Sequence, residues 1–111
     1  MEIRENDRFC IYAPLNNHLG SYETTRLFKE ISKDKRNVAI DLQYVENCSI
    51  DFIESIKNIA KSKKIGIFNI SSDIFTILNI MNIDKICQLF VSELDFTENK
   101  RQLINRKLSV V

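Results

Sequence analysis

Asn37-Val38-Ala39-Ile40-Asp41-Leu42-Gln43-Tyr44-Val45-Glu46-Asn47-Cys48-Ser49-Ile50-Asp51-Phe52-Ile53-Glu54-Ser55 decides how the rest of the chain is read. Val38-Ala39-Ile40 is a continuous apolar run, the pattern of a strand covered on both faces. A short polar loop follows it. From Ser49 onward the apolar residues Phe52, Ile53, Ile56, Ile59 and Ala60 recur at helical spacing, with Glu54, Lys57, Asn58 and Lys61 between them. A strand running through a loop into an amphipathic helix is the unit of an α/β sheet. The loop delivers Ser49 and Asp51 to a helix N-terminus, where free backbone N–H groups favour negative charge.

The same grammar extends in both directions. Upstream, Glu2-Ile3-Arg4-Glu5 and Phe9-Cys10-Ile11-Tyr12-Ala13 flank the turn residues Asn6-Asp7 and predict a β-hairpin. Pro14 to Gly20 reads as a loop. Ser21 offers an N-cap to a helix that places Thr24, Leu27, Phe28 and Ile31 inward and ends at Asp34-Lys35-Arg36-Asn37. Downstream, Ile65 to Ile70 is a strand, and Ser71-Ser72-Asp73 caps a helix with Ile74, Ile77, Leu78 and Met81 inward. Asn82 to Lys85 is a turn and Ile86 to Val91 a last strand. A final helix begins at Ser92 and runs to Lys107. Strands joined by helical crossovers pair in parallel. The expected fold is therefore a small single-domain α/β protein: a mixed β-sheet, an N-terminal hairpin then parallel strands, with about four α-helices.

Bulk composition narrows function mainly by exclusion. The 111 residues carry a net charge of +1, with 44% hydrophobic and 28% charged residues. This balance gives no electrostatic reason to expect nucleic acid or an anionic membrane as partner. No apolar run approaches the ~18 residues of a membrane span. The first seven residues lack the basic-then-apolar pattern of a signal peptide, so the expected location is cytoplasmic. Cys10, Cys48 and Cys87 are odd in number and show no metal-ligand spacing, which argues against a zinc site or a disulfide framework. Cys10 and Cys87 read as buried hydrophobes. Cys48 reads either as a packed side chain or as a thiol made reactive by the helix N-terminus.

Catalytic signals are sparse. The single histidine, His18, has no nucleophile or metal ligand at useful spacing, and two glycines cannot build a phosphate loop. Asp41 and Asp51 are a carboxylate pair that would meet near the strand end. The expectation is a chain without catalytic residues, metal or cofactor.

Three segments together resemble the STAS family, whose members include bacterial anti-sigma-factor antagonists. Val38-Ala39-Ile40-Asp41-Leu42-Gln43-Tyr44-Val45 is similar to the family's central strand, Ile65 to Ser72 to its next strand and turn, and Ile77 to Ile86 to the stretch after it. The resemblance covers residues 1–105 and implies a partner-switching interaction module in signal transduction and transcription regulation. Its partner would be an anti-sigma factor, a serine-kinase-like ATP-binding protein. The alternative is a STAS subunit of a lipid-transport ABC complex, docked to a transporter ATPase, or of another signalling assembly. Antagonists carry a phosphorylated serine in the loop after the strand. Counted from Asp41-Leu42, that phospho-acceptor-equivalent position holds Asp51, which no serine kinase modifies.

Two readings of Asp51 stand side by side: a built-in partial mimic of phosphoserine, and simple stabilisation of the helix end. Ser49 is likewise either an N-cap or an alternative phosphosite. The partner-binding surface implied by the resemblance comprises Leu19, Gly20, Ser21, Asn47, Cys48, Ser49, Ile50, Asp51 and Phe52, with Ile50 and Phe52 as its apolar anchor.

Overall fold

The structure, a computed structural model, describes residues 1–98. The predicted hairpin is present. β1 (Glu2–Glu5) and β2 (Phe9–Ala13) pair antiparallel, with Ile3 opposite Tyr12 and Arg4 opposite Ile11. Asn6 makes the turn by accepting from the backbone N–H groups of Arg8 and Phe9 through its side chain. The chain next forms β3 (His18–Leu19), helix α1 (Ser21–Lys33), β4 (Asn37–Asp41), β5 (Asn47–Cys48) and helix α2 (Ile50–Ile59). It continues through β6 (Ile65–Phe68), helix α3 (Ser72–Ile80), a 3-10 turn at Ile83–Lys85, β7 (Gln88–Leu89) and helix α4 (Glu93–Thr97). The main sheet has the order β1-β2-β4-β6-β7, antiparallel at the hairpin and parallel thereafter.

Strand alternation assigns the two faces. Cys10, Tyr12, Val38, Ile40, Ile65, Ile67 and Leu89 join the larger core with Leu27, Phe28, Ile31, Phe52, Ile53, Ile56, Ile74 and Leu78 from α1, α2 and α3. The opposite face carries Ile11, Ala39, Phe68 and Phe90, closed by Phe9 and by Phe96 from α4. Gly66 lies under this second layer. A Cβ there would stand 2.9 Å from Phe90 and 3.1 Å from Phe96, so the absent side chain is what lets the rings settle on the sheet.

Several expectations are corrected. Pro14 to Gly20 is not wholly loop, because His18–Leu19 pairs in parallel with Asn47–Cys48. Gly20, not Ser21, occupies the N-cap of α1, and Glu23 accepts from the Gly20 N–H at 3.1 Å. The last strand shrinks to Gln88–Leu89, because Ile86 sits in the tail of the 3-10 turn and the ladder ends where Phe90 donates to the Ile67 carbonyl. Ile59, the last residue of α2, packs against the core as expected while half-buried, and Ala60 is the half-buried C-cap. In α3, Ile74 and Leu78 face inward as expected and half-buried Met81, at the C-cap, packs against the core, but Phe75 is buried where Ile77 was expected, and Ile77 is exposed. Most of the predicted final helix, up to Lys107, lies outside the described residues.

Candidate functional site

The carboxyl ends of the parallel strands gather the N-termini of α1, α2 and α3, where open α/β sheets place their sites. Each of these helices carries an acid in its first turn: Glu23, Asp51 and Asp73. Residues 37–56 contain no Lys or Arg. The local charge is therefore negative although the chain as a whole is nearly neutral.

Two crossing segments brace this end. The Asn17 carbonyl accepts from the backbone N–H of Glu46 at 2.7 Å and of Asn47 at 3.2 Å, and the Leu19 carbonyl accepts from Ser49 N–H at 2.8 Å. His18 Nδ1 pairs with Asn47 Oδ1. This small ladder fixes the starts of α1 and α2 side by side. The Ser21 hydroxyl then donates to Asp51 Oδ2 across the two helices. One turn deeper, Phe28 and Phe52 meet edge to face with centroids 5.9 Å apart, a geometry worth about 0.5–1.5 kcal/mol beyond area burial.

The expected surface separates into an exposed part and a supporting part. Ser21, Asn47, Ile50 and Asp51 are exposed, Ile50 at 60%. Gly20, Cys48 and Ser49 are half-buried. Leu19 and Phe52 are fully buried. They belong to the core beneath the surface and cannot be its contact residues. Helical periodicity already pointed Phe52 inward, so of the two expected anchor residues only Ile50 is exposed.

Ser49 occupies the N-cap position of α2, but its hydroxyl makes no cap hydrogen bond and is buried without a partner. A kinase would have to open the loop to reach it. Cys48 departs from expectation in the same direction. Burial pushes its thiol up, against the lowering that a helix N-terminus would give. Burial also raises Cys10, and burial followed by nearby Asp84 pushes Cys87 up to about 12.

Asp41 does not form a pair with Asp51. Fully buried on the second face, it accepts from Arg4 at 2.6 Å, from Gln43 N–H at 3.0 Å and Nε2 at 2.8 Å, and from Asn69 Nδ2 at 3.0 Å. Arg4 also holds Glu93 at the start of α4, at 2.7 Å. Sequence reading missed this cluster. Arg4 sits in the hairpin, 37 residues from Asp41 and 89 from Glu93, and only sheet register brings them together. Among the described residues there is no group of three potential metal ligands, and no helix long and apolar enough to cross a membrane.

No family model matches the chain, and no curated protein matches it in sequence.

Proposed function

We propose that this chain is a non-enzymatic interaction module of the STAS antagonist type, which binds an anti-sigma factor of the ATP-binding, kinase-like kind and so frees a sigma factor. The observation that carries the reading is the exposed pair Ile50 and Asp51 in the first turn of α2, held against α1 by the Ser21 hydrogen bond. An apolar side chain rimmed by polar groups is the usual anatomy of a docking surface. Its support does not have to fold on binding, because the β3–β5 ladder already fixes the loop, and little ordering entropy would oppose association. The order of elements, a hairpin followed by parallel strands with helical crossovers, also fits the family.

Asp51 supplies a permanent negative charge at the position where such antagonists carry a phosphate, so docking here would be constitutive. That same feature favours a second reading, in which the surface holds a fixed partner such as the ATPase of a lipid-transport complex.

Affinity capture with the wild-type chain, Ile50→Asp and Asp51→Lys tests both. The wild type is expected to retain a kinase-like ATP-binding protein that both variants lose. Retention of a transporter ATPase instead selects the second reading. Equal capture by all three proteins rejects the surface.

A further inference from the structure

Turns 6–8, 34–36 and 60–64 carry six cations, Arg8, Lys35, Arg36, Lys61, Lys63 and Lys64, against two acids, Asp7 and Asp34. Parallel pairing brings these turns to one end of the sheet: Phe9 stands opposite Asn37 and Val38 opposite Ile65, each at the start of its strand. The fourth turn at this end, 81–87, is balanced by Asp84 and Lys85. The amino end of the sheet is therefore positive, the reverse of the end that carries Ile50 and Asp51.

A cleft of about 350 Å³ opens there, between the strand ends and α4. Arg8 and Lys64, both exposed, are its charged residues, and among the described residues no acid lines it. Asp7 and Glu98 adjoin Arg8 and Thr97 in the chain without lining the cleft. Asn37 and Gln88 add neutral donors. The side chains of Arg8, Lys64, Asn37 and Gln88 make no hydrogen bond or ion pair among the described residues. Arg4 and Arg36, by contrast, each hold two carboxylates or more. The walls are apolar: Phe90 is buried, and half-buried Phe9 and Phe96 meet edge to face with centroids 5.8 Å apart. The larger cleft beside α1, about 410 Å³, mixes Glu23 and Glu30 with Arg26, Lys29 and Lys33 and so selects no sign of charge.

We propose that the cleft at the amino end binds a small organic anion, a carboxylate or phosphate head carried on a flat apolar ring. The planar fork of Arg8 and the point charge of Lys64 suit the head. Phe9 and Phe96 offer ring surface to the body, and the amides of Asn37 and Gln88 suit polar substituents. The volume lies near the lower end of small-ligand sites, about 300–1,000 Å³, so the ligand is small. The chain as a whole is nearly neutral and offers no long track to a polyanion. Because Ile50 lies at the other end of the sheet, this site stands apart from the docking surface.

Amide NMR of the isotopically labelled full chain, titrated with naphthoate, naphthyl phosphate, naphthalenemethanol and inorganic phosphate, tests the proposal. The two aromatic anions are expected to give saturable shifts at Gly66 and Gln88, neighbours across β6 and β7 in the cleft wall, and the tighter of them identifies the head group. The neutral alcohol and the ringless phosphate should each bind more weakly. Arg8→Met and Lys64→Met should each weaken binding about threefold to fivefold, whereas Ile50→Asp leaves it unchanged. Raising salt from about 50 to about 500 mM on the wild type repeats the charge test without a substitution and should weaken binding. The proposal is overturned by the absence of saturable shifts at Gly66 and Gln88 up to about 10 mM of either aromatic anion. It is overturned equally by an alcohol or a phosphate that binds as tightly as the aromatic anions, or by affinity that neither Met variant nor salt changes.

Discussion

Asp34 shows how much one buried carboxylate does in a small protein. It accepts from Arg36 through Nε and Nη2, both at 2.9 Å, from the Arg36 backbone N–H at 3.0 Å, and from the Tyr12 hydroxyl at 2.8 Å. The Arg36 hydrogen bonds, ahead of Tyr12, hold its carboxyl well below the usual carboxylate range. Burial, followed by Asp34, keeps the Tyr12 phenol protonated. A folded-state pKa below the unfolded value means that stability is present in full above the unfolded value, about 3.9, and is lost as pH falls through the lower native one. Urea midpoints measured at neutral pH and near pH 3 should therefore fall more in the wild type than in Asp34→Asn. Equal losses would show that Asp34 does not carry the acid sensitivity. The thiols give a second prediction at this scale. With all three raised by burial, iodoacetamide at pH 7.5 (about one unit below a free thiol) should modify the denatured chain and leave the native one almost untouched. Rapid native alkylation of Cys48 would restore the redox reading of the loop before α2.

Elements were legible in the sequence wherever local pattern and tertiary burial agree. The hairpin, β4, α2 and β6 follow from turn chemistry, apolar runs and period, and Val38-Ala39-Ile40 is buried on both faces as its composition demands. Legibility failed where an element is defined by a distant partner. His18–Leu19 becomes a strand only because Asn47–Cys48 lies beside it, and two residues carry no period to read. The inward face of α3 was misread at one position, Ile77 for Phe75, for a related reason. With apolar residues on both sides of the helix, periodicity cannot say which side meets the sheet. Gly66 gives a test of how the second layer seats. Its strand pattern showed a glycine but not the rings above it. Gly66→Ala should cost about 1–3 kcal/mol by overpacking against Phe90 and Phe96, read as a lowered urea midpoint with unchanged slope. A neutral effect would mean that α4 moves aside at little cost.

Across the whole molecule, Arg4 is the tie between segments that are remote in sequence. Register explains the meeting: Arg4 stands opposite Ile11, Ile11 opposite Ala39, and Asp41 lies two residues farther along the same face. The guanidinium thus reaches the end of the central strand from the sheet edge and also clasps Glu93, fastening the N-terminal hairpin, the core and α4 together. The place of Asp41 at the end of the central strand was readable, but its partner was not, since nothing local announces a salt bridge spanning 37 residues. Arg4 is 31% exposed and Asp41 fully buried, so the two ends of the pair should respond unequally. Arg4→Met strands a buried carboxylate with only Gln43 and Asn69 as donors and should cost about 3 kcal/mol. Asp41→Asn leaves a cation that still has Glu93 and water, and should cost about 1–2 kcal/mol. In the double variant no buried charge is left unpaired, so its cost should fall below the sum of the two by at least about 1 kcal/mol. Urea unfolding of the four proteins at neutral pH measures this coupling. Strict additivity would mean that Asp41 is held by its amide donors alone and that Arg4 acts only on α4.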